Sequence, residues 1–502
     1  MKHGNNVMKT SSSADIVLIN PGNRRQVFQD LGDDVAGIEP PFLVAVMAAY
    51  LRKQGFRAAI IDANAENISP DEVAARVREY APLLASVIVY GSQPSASTQN
   101  MSNAGLICRA LSHSTDAKVA IGGLHPSALP ERTLAEEAVD FVVQGEGFLT
   151  LVGLLTSLLS GTGSYSSIPG LWFREGDTVC QTLPAPLIDD LDSVLPTAAW
   201  DLLPMHLYRA HNWHCFDDLE HRMPYGAIYT SLGCPYNCIF CCINAPFGKP
   251  GIRYRSPQRV VEEIDVLVRN YGIRNLKIVD ELFVLHEPHY MGIVELLIER
   301  GYDLNIWAYA RVDTVKPENL ARMKLAGINW LALGIESANP DVRDSASKRM
   351  RVQDVQKVVQ AIQDAGIRVI GNYIFGLPDD TPSTMQETLA MALDLNCEFA
   401  NFYSAMAYPG SKLYDMALEQ GWELPAQWHG YSQHSYECLP LPTKHVVAAE
   451  VLAFRDDAFH AYFSNPAYLS MVEEKFGHGV REHIERISLS RLKRKLLGNH
   501  CR

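Results

Sequence analysis

Four of the ten cysteines in the chain lie close together in the stretch SLGCPYNCIFCCINAPFG, residues 231–248. The first three have the spacing CxxxCxxC, and a phenylalanine precedes the last of them: Cys234, Cys238, Phe240 and Cys241. A structural zinc site usually takes four ligands and a ferredoxin-type cluster uses four cysteines, and no later CxxC pair completes either set. Three thiolates instead leave one iron of a 4Fe–4S cluster open, which favours chemistry at the metal over electron storage.

The fourth cysteine of this stretch, Cys242, is the rival ligand. Adjacent side chains on an extended backbone point to opposite sides, so Cys241 and Cys242 are not expected to reach the same cluster. We therefore interpret Cys242 as a packing residue or a bystander thiol.

The strand–helix alternation around the cysteines predicts the elements that position them. AIYTSLG, residues 227–233, is a predicted strand that leads directly into the cysteines. Further strands alternate with helices after it, at residues 276–279, 305–310, 330–335, 368–375 and 399–406. This series of β/α units implies a partial β/α barrel, an α/β fold whose active site lies at the C-terminal ends of its strands.

Polar side chains end several of these predicted strands. They follow the second, third and fourth strands and are Asp280, Glu281, Arg311, Glu336 and Ser337, while the turn FGLP at 375–378 follows the fifth. A single charged residue at a strand end is usually an ordinary solvated loop residue. Charged groups at three successive strand ends, around the mouth that holds the cysteines, predict a functional site.

Before residue 150 the chain alternates strands and helices in the same way. The predicted strands are residues 16–19, 58–61, 86–90, 119–121 and 140–143. Strands with crossover helices imply a doubly wound parallel sheet, Rossmann- or flavodoxin-like, which binds ligands at the carboxyl ends of its strands. Glycine-containing turns fall at these ends, so we expect a cofactor there, although each turn alone is typical of a plain loop. Because no GxGxxG or GxxxxGK(S/T) pattern occurs, neither a dinucleotide nor a nucleoside triphosphate is indicated.

The composition excludes several classes of protein. A chain of 502 residues is long enough for two or three domains, and its net charge of −13 argues against a nucleic-acid-binding surface. The longest apolar run, Pro40–Leu51, is about half the roughly 20 residues that a membrane span needs, and no secretory signal is visible. We therefore expect a cytoplasmic protein without a transmembrane segment, in which clustered cysteines favour a metal or catalysis over disulfides.

The cysteine motif and the segments after it resemble the radical S-adenosylmethionine (radical SAM) superfamily. The resemblance covers residues 226–421 and rests on CxxxCxFC followed in order by YRSPQRVVEEI, VDELFVL, YARVD, LGIESANP, GNYIFGLPDDT and YPGSKLY. It implies that Cys234, Cys238 and Cys241 hold a 4Fe–4S cluster whose open iron binds SAM, which one electron cleaves to a 5′-deoxyadenosyl radical. It also implies that Phe240 lies near the adenine of SAM, Glu281 near its amine, Arg311 near its carboxylate, and Glu336 or Ser337 near its ribose. Gly376 is a further SAM contact that the resemblance implies.

The first part of the chain resembles the cobalamin-binding domain that precedes many radical SAM enzymes. The matching segments lie between Asp15 and Leu158 and are PPFLVAVMAAYLRKQGF, IGGLHPSALPE and DFVVQGEGFLTLVGLL. The resemblance implies corrin-lining positions at Gly91, Ser92, Gly122, Gly123, His125, Gly145, Glu146 and Gly147. The DxHxxG signature, whose histidine ligates cobalt in methionine-synthase-like domains, is absent, and His125 lies in a GGxHP turn. We therefore expect cobalamin without that ligand, its lower face open or filled by water or another residue.

These segments predict four regions: a cobalamin-binding domain at 1–160, a linker at 161–225, the barrel at 226–421 and a mostly helical C-terminal cap at 422–502. The linker holds four histidines and Cys215 without the spacing of a metal site, so we interpret it as a linker and domain contact. In the cap, the candidates for shaping a substrate pocket are Trp428, His429, Tyr431, His434 and Tyr436. An ordinary helical cap is the alternative.

The two resemblances imply a cobalamin-dependent radical SAM enzyme that methylates an unactivated carbon of a small-molecule substrate through methylcobalamin. Its other partner would be an electron donor such as flavodoxin or ferredoxin. One alternative keeps the cofactors but forms or rearranges a ring without methyl transfer. An alternative of another class is a non-catalytic iron–sulfur or corrinoid carrier, against which the polar residues at the barrel mouth argue.

Overall fold

The computed structural model describes residues 13–22, 24–29, 36–91, 94–161, 163–348 and 355–498. Within these residues the N-terminal sheet has seven strands in the order β2-β1-β3-β4-β5-β6-β7. They are β1 (Ile16–Asn20), β2 (Ala58–Asp62), β3 (Leu84–Val89), β4 (Lys118–Gly123), β5 (Phe141–Val143), β6 (Leu171–Glu175) and β7 (Thr178–Gln181). Strands β1 to β5 are parallel, and the hairpin β6–β7 adds to β5 in antiparallel fashion.

Helices cover both faces of this sheet. The helices of this part of the chain are α1 (Arg24–Phe28), α2 (Phe42–Lys53), α3 (Ala63–Glu66), α4 (Pro70–Tyr80), α5 (Pro94–Ser114), α6 (Leu124–Ala128), α7 (Pro130–Glu136), α8 (Phe148–Ser160) and α9 (Leu191–Val194). Every residue of β3 is buried, which is typical of a parallel strand covered on both faces. The apolar run that is too short for a membrane forms the buried helix α2, and among the described residues no helix is long and apolar enough to cross a bilayer.

The second large sheet has six parallel strands in the described residues, in the order β15-β14-β13-β12-β11-β8. They are β8 (Tyr225–Ile228), β11 (Asn275–Ile278), β12 (Asn305–Arg311), β13 (Ile328–Glu336), β14 (Arg368–Phe375) and β15 (Phe399–Ser404). The helices that follow these strands in the chain are α10 (Pro257–Tyr271), α11 (Glu287–Arg300), α12 (Pro317–Leu325), α13 (Pro340–Ser345), α14 (Val355–Asp364), α15 (Pro382–Leu395) and α16 (Lys412–Gln420). The doubly wound sheet and the partial barrel are thus both confirmed.

The C-terminal region contributes three helices that pack against the barrel, α17 (Ala448–Phe463), α18 (Pro466–Phe476) and α19 (His478–Ser488). Helix α17 lies along β15, and Tyr462 donates a hydrogen bond to the carbonyl of Cys397, which precedes that strand. The region also reaches the N-terminal domain, because the ring of Trp428 contacts the ring of His125 with centroids 4.4 Å apart. The C-terminal region therefore joins both sheets.

The strand predicted at 227–233 is divided in the structure. Strand β8 ends at Ile228, and Ser231–Cys234 forms a separate strand, β9, that pairs with β10 (Gly251–Tyr254) as an antiparallel hairpin. The hairpin leaves the barrel sheet because Asp280 holds the chain at the break. Its carboxylate accepts hydrogen bonds from the amide and hydroxyl of Thr230 and the hydroxyl of Ser231, all at 2.6 Å.

Candidate functional site

The β9–β10 hairpin carries the loop that contains the clustered cysteines. Cys234 ends β9 opposite Gly251, and the loop runs from there to the start of β10. Gly233 has a φ of +91°, and a Cβ at this position would lie 2.4 Å from the carbonyl oxygen of Gly251. Only glycine therefore allows the two strands to approach here.

The thiols of Cys234, Cys238 and Cys241 are free and partly exposed on this loop. Burial raises the pKa of all three, to about 11 for Cys234, and the neighbouring thiols add to the shift of Cys234 and Cys241. No group of His, Cys, Asp or Glu in the described residues is arranged to hold a single metal ion. Three free thiols that interact electrostatically fit the donor set of an iron–sulfur cluster with one open iron.

Cys242 differs from its neighbours. It is 2 % exposed and belongs to the main hydrophobic core, and burial raises its pKa to about 12. The side chain packs inside the protein, as we predicted from the alternation of adjacent residues.

Glu281 follows β11 and lies at the barrel mouth. It lines a narrow space of about 20 Å³ together with Gly233 of the cysteine hairpin and with Tyr90 and Gly91 of the N-terminal sheet. Burial raises the pKa of Glu281 to about 8, although Lys277 lowers it in part. An ammonium group beside this carboxylate would favour its ionised form, so the residue suits the amine of SAM.

The guanidinium of Arg311 lies against the cysteine loop, 4.2 Å from the centroid of the Tyr236 ring. It also forms an ion pair with Asp313, with 2.9 Å between Nε and Oδ1. Phe240 packs at the edge of the apolar cluster that contains Leu377. These contacts bring Arg311 and Phe240 to the same mouth as the cysteines.

Three further predicted SAM contacts have partners within the barrel. The carboxylate of Glu336 pairs with the buried ammonium of Lys348. The hydroxyl of Ser337 is fully buried and lies 3.2 Å from that of Thr388. The amide of Gly376 donates a 3.0 Å hydrogen bond to Asp380. SAM contact at these positions stays a prediction.

The predicted corrin positions lie at the carboxyl ends of β3, β4 and β5. Gly91, Gly123, Gly145 and Gly147 all have positive φ, and Ser92 lies outside the described residues. Gly122 lies at the end of β4, where a Cβ would lie 3.2 Å from the Cβ of Val143.

His125 is not open to a cofactor in the structure. It is 2 % exposed, its Nδ1 lies 3.3 Å from the hydroxyl of Thr98, and its ring contacts Trp428. Burial lowers the pKa of His125 to about 3. These contacts agree with the expectation that His125 is not the cobalt ligand.

Glu146 joins the N-terminal domain to the cysteine hairpin. Its carboxylate accepts hydrogen bonds from Arg253 on β10, at 2.8 and 3.1 Å, and from the amide of Ile188 at 2.9 Å. Both partners of the ion pair are largely buried. The structure therefore gives Glu146 a role in docking the two domains, which the resemblance did not indicate.

A large cavity of about 810 Å³ lies between the two sheets. Asn20, Tyr90 and Gly91 line it from the ends of β1 and β3, and Trp307 and Tyr309 line it from the barrel strand β12. Tyr90, Gly91 and Tyr229 also border the narrow space beside Glu281. An open space at the strand ends of a doubly wound sheet, next to the cysteine hairpin, fits a bulky cofactor such as cobalamin.

A charged group that sequence reasoning missed also lines this cavity. The ammonium of Lys277 on β11 lies 2.9 Å from a carboxylate oxygen of Glu39, and the Nε2 of His211 lies 3.4 Å from the other oxygen. Lys277 also lies over the ring of Trp307, 4.6 Å from its centroid. The sequence did contain a signal for this group, since Lys277 lies within a strand of mostly apolar residues. A lysine buried in such a strand requires a partner for its ammonium group.

Comparison with known proteins identifies the two domains. The family model of the Radical SAM superfamily matches residues 228–392, and that of the B12 binding domain matches residues 29–155. These matches imply a 4Fe–4S cluster, SAM and cobalamin as the cofactors of the chain.

Individual relatives cover most of the chain. An uncharacterized methyltransferase of Pyrococcus horikoshii is 29% identical over 88% of this chain and 90% of its own length. The anaerobic magnesium-protoporphyrin IX monomethyl ester cyclase of Rubrivivax gelatinosus is 26% identical over 76% of this chain and 67% of its own. The radical SAM methyltransferase TsrM of Kitasatospora setae, solved with cobalamin and a 4Fe–4S cluster, has the same fold, with a TM-score of 0.69, 18% identity and coverage of 95% and 99%. The chain thus carries a domain of the Radical SAM superfamily, preceded by a B12 binding domain.

Proposed function

We propose that the protein is a cobalamin-dependent radical SAM methyltransferase that methylates an unactivated carbon of a small-molecule substrate. One observation carries the proposal: the cysteine hairpin, Glu281 and the Tyr90–Gly91 edge of the N-terminal sheet border the same narrow space. A methyl transfer between two cofactor sites needs such proximity, because reactants must lie close together in a fixed orientation. The names of the relatives from Pyrococcus horikoshii and Kitasatospora setae support methyl transfer.

The residues of the chain have distinct roles in this proposal. Cys234, Cys238 and Cys241 hold the cluster, Glu281 binds the amine of SAM, and Arg311 binds its carboxylate. Phe240 and Gly376 border the adenosine, and Glu336 or Ser337 meets the ribose. When bound, the cofactors supply a one-electron reductant, a radical precursor and a transferable methyl group.

The corrin occupies the strand ends of the N-terminal sheet in the proposal. Gly91, Gly122, Gly123, Gly145 and Gly147 let its bulk approach the backbone, and Ser92 stays a proposed contact of the corrin from the resemblance. His125 and Glu146 support this edge from behind, through Trp428 and Arg253 respectively. The regions 1–160, 161–225, 226–421 and 422–502 act as corrin domain, connector, barrel and cap.

A flavodoxin or ferredoxin is the proposed electron donor, since cleavage of SAM consumes one electron. We also propose a cytoplasmic location, which is supported by nine free cysteines among the described residues. The net charge of −13 supports a protein without a nucleic-acid partner.

Ring formation without methyl transfer is the second candidate function, favoured by the relative from Rubrivivax gelatinosus. Product analysis separates the two functions after anaerobic reconstitution with iron, sulfide and cobalamin. Methyl transfer predicts S-adenosylhomocysteine and a substrate heavier by one methyl group. Deoxyadenosine with a product that gains no methyl group would support ring formation and refute methyl transfer.

The cysteine assignment has its own test. Alanine at Cys234, Cys238 or Cys241 is expected to abolish the cluster absorbance and the cleavage of SAM, because each removes one ligand of three. Cys242→Ala is the matched control and should keep both. Retention of SAM cleavage in Cys238→Ala would refute the ligand assignment, whereas failure of the wild-type protein to cleave SAM at all would favour a non-catalytic carrier.

A further inference from the structure

The lining of the cavity extends from the N-terminal sheet edge to the barrel and the C-terminal region. We call the part that is lined by strands β11, β12 and β15, helix α17 and residues 487–498 the substrate chamber. We propose that the substrate chamber binds an apolar molecule of several rings or a comparably bulky chain that carries one anionic group. This inference rests on the proposed function and names its substrate class.

The wall of the chamber is built of aromatic rings. Trp307 and Tyr309 of β12 lie edge to face, with centroids 5.0 Å apart, and Trp213 contacts Trp307 at 5.1 Å. Phe459 and Phe463 of α17 lie 4.7 Å apart, and Phe399 of β15 contacts Phe463 at 5.3 Å. Rings that border open space favour an apolar ligand, because contact with it removes their surface from water.

The charges around the chamber differ from those of the whole protein. Among the described residues, six cationic residues line the cavity: Arg24, Lys277, Arg455, Arg491, Lys493 and Arg494. Four acidic residues of the same described part line it: Glu39, Glu450, Asp456 and Asp457. The described lining therefore carries a formal excess of two positive charges, whereas the chain carries −13. Such a local excess attracts an anionic ligand.

Three of the cations are not neutralised by ion pairs. Lys277 pairs with Glu39, and Arg455 and Arg494 both pair with Asp456. In the part of the chain that the structure describes, no ion pair engages Arg24, Arg491 or Lys493.

The three remaining cations lie at one end of the chamber. Gln29, at the end of α1, bonds to the backbone of Lys493 through both its amide nitrogen and its oxygen, which brings Arg24 of the same short helix to this end. The Nε of Arg24 is buried and, among the described residues, has no hydrogen-bond partner. A buried donor without an acceptor indicates a missing acceptor such as a carboxylate or phosphate.

The proposal is tested with two fluorescent probes that share a ring skeleton, anilinonaphthalene sulfonate and the uncharged N-phenylnaphthylamine. The cobalamin-loaded protein is expected to bind one sulfonate probe per chain, about tenfold more tightly than the neutral probe. Each charge at contact distance contributes about a factor of five in water, and salt reduces it. Equal affinities for the two probes would overturn the proposal.

Charge variants locate the anionic group. Arg491→Gln with Lys493→Gln should weaken binding of the sulfonate probe about tenfold and leave the neutral probe within about twofold. Lys495→Gln is the matched control, because Lys495 is an exposed cation of the same segment that does not line the cavity. The same loss in Lys495→Gln, or no loss in the double variant, would contradict the assignment.

Cobalamin provides the next control, since its own phosphate is anionic. The double variant is expected to bind cobalamin as tightly as the wild type, and cobalamin added to the apoprotein should not displace the sulfonate probe. Either opposite result would assign the cations to the corrin and overturn the proposal.

Displacement of the probe identifies the anionic group. Dodecanoate or dodecyl phosphate should displace the sulfonate probe at least tenfold more effectively than dodecanol. The anion that displaces the probe at the lower concentration identifies the anionic group as a carboxylate or a phosphate. Equal displacement by dodecanol would refute anion recognition. Probe binding without SAM cleavage would refute the proposed function alone, so the two failures are distinguishable.

Discussion

The buried ion pair between Glu146 and Arg253 predicts how strongly the corrin domain is docked on the cysteine hairpin. We expect Glu146→Gln to lower the free energy of unfolding by about 3 kcal/mol. The variant keeps the size of the side chain but leaves the guanidinium of Arg253 without its counter-charge at a largely buried site.

The magnitude follows from the contacts that the variant retains. Removal of one partner of a buried ion pair costs about 3–5 kcal/mol. Arg253 keeps its 2.7 Å hydrogen bond to the carbonyl of Ile188 and its position over the ring of Phe247, 5.3 Å from the centroid. These contacts reduce the penalty, so the lower end of the range applies.

Urea unfolding followed by circular dichroism measures the change. Glu146→Gln, Arg253→Met and the double variant form a cycle whose coupling energy should reach at least about 1 kcal/mol. Asp201→Asn is the matched control, since it removes the exposed ion pair between Asp201 and Arg52, and should cost less than about 1 kcal/mol. A loss in Glu146→Gln no larger than in the control, or a coupling energy near zero, would refute the reasoning.

Three more predictions follow from single contacts. Trp428→Ala removes the ring contact with His125 and the stacking of Arg132 at 4.5 Å. The free energy of unfolding, measured in urea, should fall by about 2 kcal/mol, and Trp428→Phe should recover more than half of that loss. Asp280→Asn weakens three hydrogen bonds at the base of the cysteine hairpin. The variant should bind less iron after reconstitution while its circular dichroism spectrum is unchanged, and full iron content would contradict the role of Asp280 in holding the hairpin. Burial lowers the pKa of His125 to about 3, below its value of 6.5 in the unfolded chain. The stability contributed by the neutral His125 ring is therefore fully present above pH 6.5, and the free energy of unfolding falls by about 2 kcal/mol between pH 7 and pH 5. His125→Gln should flatten the pH dependence of the unfolding free energy by that amount, and an unchanged slope would contradict it.

The apolar runs of the sequence were sufficient to predict both sheets, because parallel strands buried on two faces need continuous hydrophobic segments. The strand predicted at 368–375 matches β14 in both bounds, and most of the apolar run Pro40–Leu51 forms helix α2. These elements depend on local pattern and burial alone. Sequence reasoning is reliable for such elements because no distant partner decides their limits.

The elements that differ from the prediction depend on distant residues. The break between β8 and β9 follows from Asp280, which is 50 residues away from Thr230 in the sequence. Strands β6 and β7 lie in the predicted linker, but β6 pairs with β5 and extends the N-terminal sheet. A local sequence pattern indicates neither Asp280 as the partner of Thr230 nor β5 as the partner of β6. Strand pairing and side-chain hydrogen bonds of this kind depend on the tertiary structure.

The buried ion pairs at the domain junction are better explained by positioning than by stability. A buried pair of charges is often no more stable than apolar residues of the same volume, because both charges lose water. Two such pairs nevertheless join the N-terminal domain to the barrel side, Glu146 to Arg253 and Glu39 to Lys277. Burial acts to raise the pKa of Glu39, but Lys277 and His211 outweigh it and hold the pKa at about 2, so the carboxylate stays ionised at neutral pH. Charged pairs accept few alternative geometries, and a fixed distance between the corrin edge and the cysteine hairpin is what transfer between two cofactor sites requires.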